Sequence, residues 1–275
     1  MVFSHFNDIS TVYRSILLIL SIGLSINALE DLKAWPVFSN SGLLSWKVGR
    51  LATYWKLQKI KLFIVNFFLN DRSFKASVYL RIFGSALLFV LTLLNHVSPL
   101  LIYSLFFLML LTAFRSHYGL NGAYQMFLVL LFALSIAVSF GMHSPISVLC
   151  LWFIAGELSI SYFIAGVKKL ISPLWRNSHA LNMIFSTKTY GHAALYKIIQ
   201  KNTVVNLAIS WSIFLFEMAF VFAILLPTPY TLLFCVFGLL FHLSNAIFMG
   251  LNDFFFAFTG AYPAFLYCAS FITLN

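Results

Sequence analysis

Long apolar stretches alternate with short polar ones along the whole chain, and eight of them approach the length a membrane helix needs. A hydrocarbon core of about 30 Å takes about 20 apolar residues per helix. The stretches are 13–29, 77–94, 97–114, 122–140, 146–167, 204–226, 230–249 and 254–272. Breaks fall at turn residues: Asn95-His96-Val97-Ser98-Pro99 separates the second stretch from the third, and Pro227-Thr228-Pro229 the sixth from the seventh. Both pairs are expected to form tight helical hairpins. From Leu51 to Leu69 a weaker pattern appears, with Leu57, Ile60, Ile64, Phe67 and Phe68 at helical spacing while Lys56, Lys59 and Asn66 fall elsewhere. It predicts a helix lying in the membrane interface, with Trp46, Tyr54 and Trp55 at headgroup level. The expected fold is therefore all-α: a polytopic membrane bundle of about eight transmembrane helices plus the interfacial helix, one domain over 1–275 without a soluble domain.

Composition agrees with lipid as the solvent. Of 275 residues, 61% are hydrophobic and 9% charged, whereas soluble domains carry about 25% charged residues. The formal charge of +10 lies between the spans, which argues against nucleic acid as a partner. Eight Lys and Arg fall in the first loop, one (Arg115) in the third and six in the fifth, with none in the even loops. That asymmetry predicts an integral multi-pass membrane protein with cytoplasmic odd loops and both termini outside. The rival reading of 1–28 as a cleavable signal peptide would send the eight-cation loop across the membrane.

Cys150, Cys235 and Cys268 stand singly in apolar stretches, and the seven histidines form no HxxxH or HExxH pair, so neither a disulfide framework nor a metal site is indicated. Neither GxxxxGK[ST] nor GxGxxG occurs, and no internal repeat or ring of like charge points to a transporter or channel. Ionisable residues inside spans are costly and usually face a cavity or a partner, which singles out Glu157, Glu217, His242 and the outlying Arg81. Each has a plainer reading. The glutamates can hydrogen-bond a neighbouring helix, and His242 can be a neutral core imidazole. Lys168 and Lys169 end the fifth span, where an anchoring doublet is common. Lys169 shares a helix face with Tyr162 and Ala165, and His242 shares one with Asn245.

One stretch is more specific. Tyr162-Phe163-Ile164-Ala165-Gly166-Val167-Lys168-Lys169-Leu170, followed by Trp175, resembles the Y-F-x-[AS]-G-[LI]-x-K-L-x-x-x-x-W stretch of vitamin K-dependent γ-carboxylase and its bacterial relatives, the HTTM (horizontally transferred transmembrane) proteins. Ser116-His117-Tyr118-Gly119-Leu120-Asn121-Gly122 and Phe241-His242-Leu243-Ser244-Asn245 are weaker matches in the family's order. The resemblance implies a catalytic pair, with Lys169 as the base that deprotonates a hydroquinone and His117 as the group stabilising its anion. It also implies a cofactor site drawing on Lys168, Tyr162, Glu217, His242 and Asn245. The implied cofactor is a reduced quinone of the vitamin K hydroquinone type, with molecular oxygen and carbon dioxide as co-substrates and no metal. The base must be a neutral amine, a form that burial and the neighbouring Lys168 would favour. Beyond membrane lipid, the implied partner is a small peptide or protein substrate whose glutamate is carboxylated, or a peptide toxin whose maturation the protein serves.

Two departures stand beside the match. An acidic residue common after the family's Asn-Gly is replaced here by Ala123-Tyr124-Gln125, and nothing corresponds to the animal enzyme's lumenal region. The alternative is a non-catalytic membrane protein that holds a lipid or quinone, or that serves in toxin maturation or immunity.

Overall fold

The computed structural model describes residues 8–54, 59–116 and 120–274. Among these residues no strand occurs. Helix α1 (Ile9–Lys33) starts where the Asp8 carboxylate accepts from the backbone N–H groups of Ser10 and Thr11. Two short helices follow in the first loop, α2 (Trp35–Phe38) and α3 (Trp46–Tyr54), and then α4 (Lys59–Leu69). The interfacial helix expected over 51–69 is thus described as two segments, with 55–58 outside the described residues. Asn70 caps α5 (Asp71–Leu93), and Pro99, which needs no donor at a helix start, opens α6 (Pro99–Arg115). Asn121 caps α7 (Gly122–Phe140), and Ser144 with Pro145 starts α8 (Pro145–Ile171).

After α8 the chain lies down in three short helices, α9 (Pro173–Arg176), α10 (His179–Ser186) and α11 (Ala193–Lys201). It rises again as α12 (Thr203–Phe220), which tightens into a 3₁₀ turn over Val221–Leu225 before Pro227. Helix α13 (Thr228–Met249) stops at Gly250, whose φ of 70° is left-handed, and α14 (Asn252–Leu274) completes the bundle.

Seven of these helices are long and apolar enough to cross a membrane. The expected third span is the exception: α6 has 17 residues, about 25 Å at 1.5 Å per residue. It packs on both α5 and α7 all the same. The protein is an integral, multi-pass helical membrane protein in contact with lipid. Broad apolar surfaces face outward, among them Phe83, Leu100, Phe222 and Phe237.

The core is arranged around α14. Two-thirds of its span (67%) is buried against 17% for α13, and it packs on α1, α7, α8 and α13. Ala257, Ala261, Ala264, Cys268 and Ala269 are all fully buried. Small side chains let neighbouring backbones approach, which is how helices gain packing energy where lipid removes the hydrophobic drive. Helix α8 leans on α12 at Gly166, where a Cβ would meet the Met218 side chain at 2.7 Å and its backbone nitrogen at 2.8 Å. This close approach brings Lys169, one turn further on, within reach of α12.

Candidate functional site

Five of the expected site residues meet at one cavity. It has a volume of about 500 Å³ and lies between α8, α12, α13 and α14, under the short helices of the fifth loop. Alternation of the long helices puts its roof on the cation-rich side of the bundle. Leu181 and Phe185 of α10 and Leu195 and Ile199 of α11 close it from that side. The roof is held by Asn206 of α12, which donates to the Ser178 carbonyl at 2.7 Å, and by Trp211, which donates to Arg176 at 3.3 Å. His192, the N-cap of α11, rests edge-on against Phe248 of α13.

Most of the lining is aliphatic or aromatic, and the polar groups are few and placed. The Lys169 ammonium donates to both oxygens of Glu217, at 2.7 and 2.6 Å. Glu217 is almost fully buried, whereas the Lys169 side chain keeps 21% of its surface exposed. The Trp175 ring lies under the same ammonium at 5.4 Å from its centroid. The Tyr162 hydroxyl is 2.8 Å from His242 Nε2 and 2.7 Å from the Tyr262 hydroxyl. If Tyr262 donates to Tyr162 and Tyr162 to His242, both bonds run in one direction and the imidazole proton sits on Nδ1. Nδ1 has no hydrogen-bond partner among the described residues, although it is buried. The His242 ring also stacks on Phe258 at 4.5 Å. Asn245 and Ser244 line the wall one turn beyond His242, and Ser161 lies beside Tyr162.

The structure therefore brings together five of the seven expected residues: Tyr162, Lys169, Glu217, His242 and Asn245. Lys168 does not join them; it is exposed on α8 and contributes nothing to the lining. It is turned by one residue from Lys169, about 100° around the helix, and so faces away. His117 lies outside the described residues. Glu157, also singled out by its place in a span, is half-buried on α8 and is not part of the wall.

Two participants escape the sequence. Tyr262 is 100 residues from Tyr162 and sits in an ordinary aromatic stretch, with no spacing to link the two. The roof helices α10 and α11 read as loop because each is short, yet their apolar faces recur at helical spacing (Leu181, Ile184, Phe185; Leu195, Ile199) and would have betrayed them.

Chemically, the cavity suits a largely apolar molecule with a few polar substituents. It lies within the size range of small-ligand sites, and the polar groups lie on its walls as orienting contacts. The structure adds a partner that spacing does not show. The amine expected to be free is doubly bonded to a carboxylate, and an ammonium on a carboxylate has no lone pair with which to accept a proton. Lys169 and Glu217 therefore stand in the cavity wall as one ion pair. No family model matches the chain, and no curated protein or solved structure matches it. The resemblance to the γ-carboxylase family thus rests on the short motifs themselves.

Proposed function

We propose that this protein is a membrane-embedded enzyme of the γ-carboxylase type, which binds a reduced quinone in the cavity and uses Lys169 and Glu217 as its proton-transfer pair. The observation that carries the reading is the pair itself: an ammonium held by both oxygens of a buried carboxylate, on the wall of an apolar cavity of about 500 Å³. The residues fit such a group. Phe241, Phe254 and Phe258 offer faces for an aromatic ring, and the unpartnered Nδ1 of His242 is a polar atom in want of a ligand or water. When bound, a reduced quinone supplies, with oxygen, the basicity that carbon-acid carboxylation needs.

The chain's own tasks are narrower. Glu217 accepts a proton at a carboxylate oxygen, and Lys169 stays bonded to it, so that positive charge remains beside any anion formed in the cavity. Passing the Lys169 proton to Glu217 instead leaves a neutral amine facing the cavity, the form required of a base. Tyr162, ordered from both sides by His242 and Tyr262, orients rather than transfers. The roof excludes water, and a small precursor peptide presented on the cation-rich side is the proposed acceptor.

A second reading is favoured by the same ion pair. Locked in two hydrogen bonds, Lys169 can serve as a fixed binding charge, and the protein then holds a quinone or lipid without turning it over, in toxin maturation or immunity. The deciding experiment is hydroquinone epoxidation by the purified protein in detergent under oxygen, over several quinones. For the enzyme, wild type forms epoxide, and Lys169→Ala and Glu217→Gln each lower the rate about 10²–10⁴-fold. Folded wild-type protein that forms none overturns the catalytic reading and leaves the binding one.

A further inference from the structure

A second cavity, which shares no lining residue with the first, lies on the lipid-facing side of α4, α5 and α6. It has a volume of about 630 Å³ and an almost wholly apolar wall. Its floor runs along α5 from Ser73 through Ala76, Leu80 and Gly84 to Leu87. Fourteen residues of helix span about 21 Å, more than one leaflet of a hydrocarbon core about 30 Å thick. Phe67 and Phe68 of α4 form one flank and Phe107 of α6 the other. Leu80, Phe83, Phe67 and Phe107 are all strongly exposed, so the groove opens toward lipid rather than into the bundle.

At its cation-rich end stands a separate polar pocket of about 270 Å³, lined by Lys47, Arg50 and Arg72 together with Asn40, Trp46, Asn70 and Asp71. The two spaces are neighbours. Arg72 and Ser73 are consecutive in α5, and Trp46 packs in one apolar cluster with Leu69 and Leu111, the last of which lines the groove. The charge balance of the pocket is set by Arg115. Its guanidinium takes the Asp71 carboxylate at 2.7 Å, so the one acid in the lining is already neutralised. Among the described residues, Lys47, Arg50 and Arg72 are in no ion pair, and all three are exposed.

We propose that the groove and this pocket together bind one anionic phospholipid, with an acyl chain along α5 between α4 and α6 and the phosphate at Lys47, Arg50 and Arg72. The argument is complementarity on two counts. An apolar channel of leaflet depth, open to the bilayer, selects an acyl chain. Three cations at its headgroup-level end, uncompensated by their neighbouring acid, select a net negative headgroup over a zwitterionic one. Helices α3 and α4 then serve as the clamp that seats the lipid against α5 and α6.

The test uses the intact protein in detergent micelles, titrated with phosphatidylglycerol or phosphatidylcholine of the same acyl chains and read by native mass spectrometry. Wild type is expected to retain phosphatidylglycerol in preference to phosphatidylcholine by about tenfold or more. K47Q/R50Q/R72Q brings the two lipids level. Ala76→Phe, which fills the groove without touching the cations, lowers retention of both. Lys33→Gln, a cation outside the pocket, leaves the preference in place and controls for net charge. Should the triple variant fail to fold, Arg50→Gln and Ala76→Phe carry the test separately. Equal retention of both lipids by wild type overturns the proposal. So does inorganic phosphate displacing the lipid from the Ala76→Phe variant as readily as from wild type, which would mean an anion site with no use for the groove.

Discussion

Two arginines show how much a single side chain can hold in a membrane bundle. Arg115, one more loop cation to a charge count, is fully buried and binds Asp71, the Leu69 carbonyl and the Phe38 carbonyl at once. It ties the first loop to the start of α5 and lies over the Phe74 ring at 5.2 Å. Removing it strands a carboxylate and two carbonyls, so Arg115→Ala is expected to cost about 3 kcal/mol, measured as a shift in denaturant unfolding. Arg115→Lys recovers only part, since an ammonium cannot span the same fork of acceptors. Arg81, which its depth in a span does mark, is bonded to Asp31, to Asn27 at 2.9 Å and through Asn27 to Asp253. At the other end of α1, Asp8 is held below the usual carboxylate range, first by the Thr11 hydroxyl and then by backbone N–H groups. Its depressed value means that the cap contributes above the ordinary carboxylate pKa of 3.8 and is lost as pH falls through the lower, folded value. Amide exchange at Ser10 and Thr11 is therefore expected to accelerate, relative to mid-helix amides, only below about pH 4.

At the scale of elements, α7 (Gly122–Phe140) matches the expected span 122–140 at both ends, while α8 runs four residues past the expected 167. The shared face of Tyr162, Ala165 and Lys169 on α8 follows from local spacing. What spacing could not supply is the partner face. Glu217 meets Lys169 because Gly166 lets α12 approach, and nothing in either helix alone dictates that register. Gly166→Ala is expected to push α8 from α12, lowering stability by about 1–3 kcal/mol, measured as a shift in denaturant unfolding, and to loosen the Lys169–Glu217 pair. The fifth loop teaches the converse. Helices α10 and α11 carry apolar faces too short to stand out beside the spans, and they acquire meaning only as the cavity's roof.

For the whole molecule, the distribution of Lys and Arg predicts the orientation. The three native cysteines are buried, giving a silent background for labelling. With an impermeant maleimide on intact cells, His96→Cys is expected to react from outside, and Lys188→Cys only after permeabilisation. The reverse pattern would invert the topology and place the cavity's roof on the outer face.

The sequence by itself determined the class of fold, the span limits to within a few residues and the helix faces on which Lys169 and His242 stand. Those are local properties: apolar length, turn residues and a period of 3.6. Tertiary structure alone decided which faces meet. It put α14 at the centre, joined Tyr262 to Tyr162 across 100 residues, paired Lys169 with Glu217 and left Lys168 outside. The reason is physical. In lipid, apolar helix faces are nearly interchangeable, so helix order is set by small residues and a few buried polar bonds whose partners lie far apart in the chain.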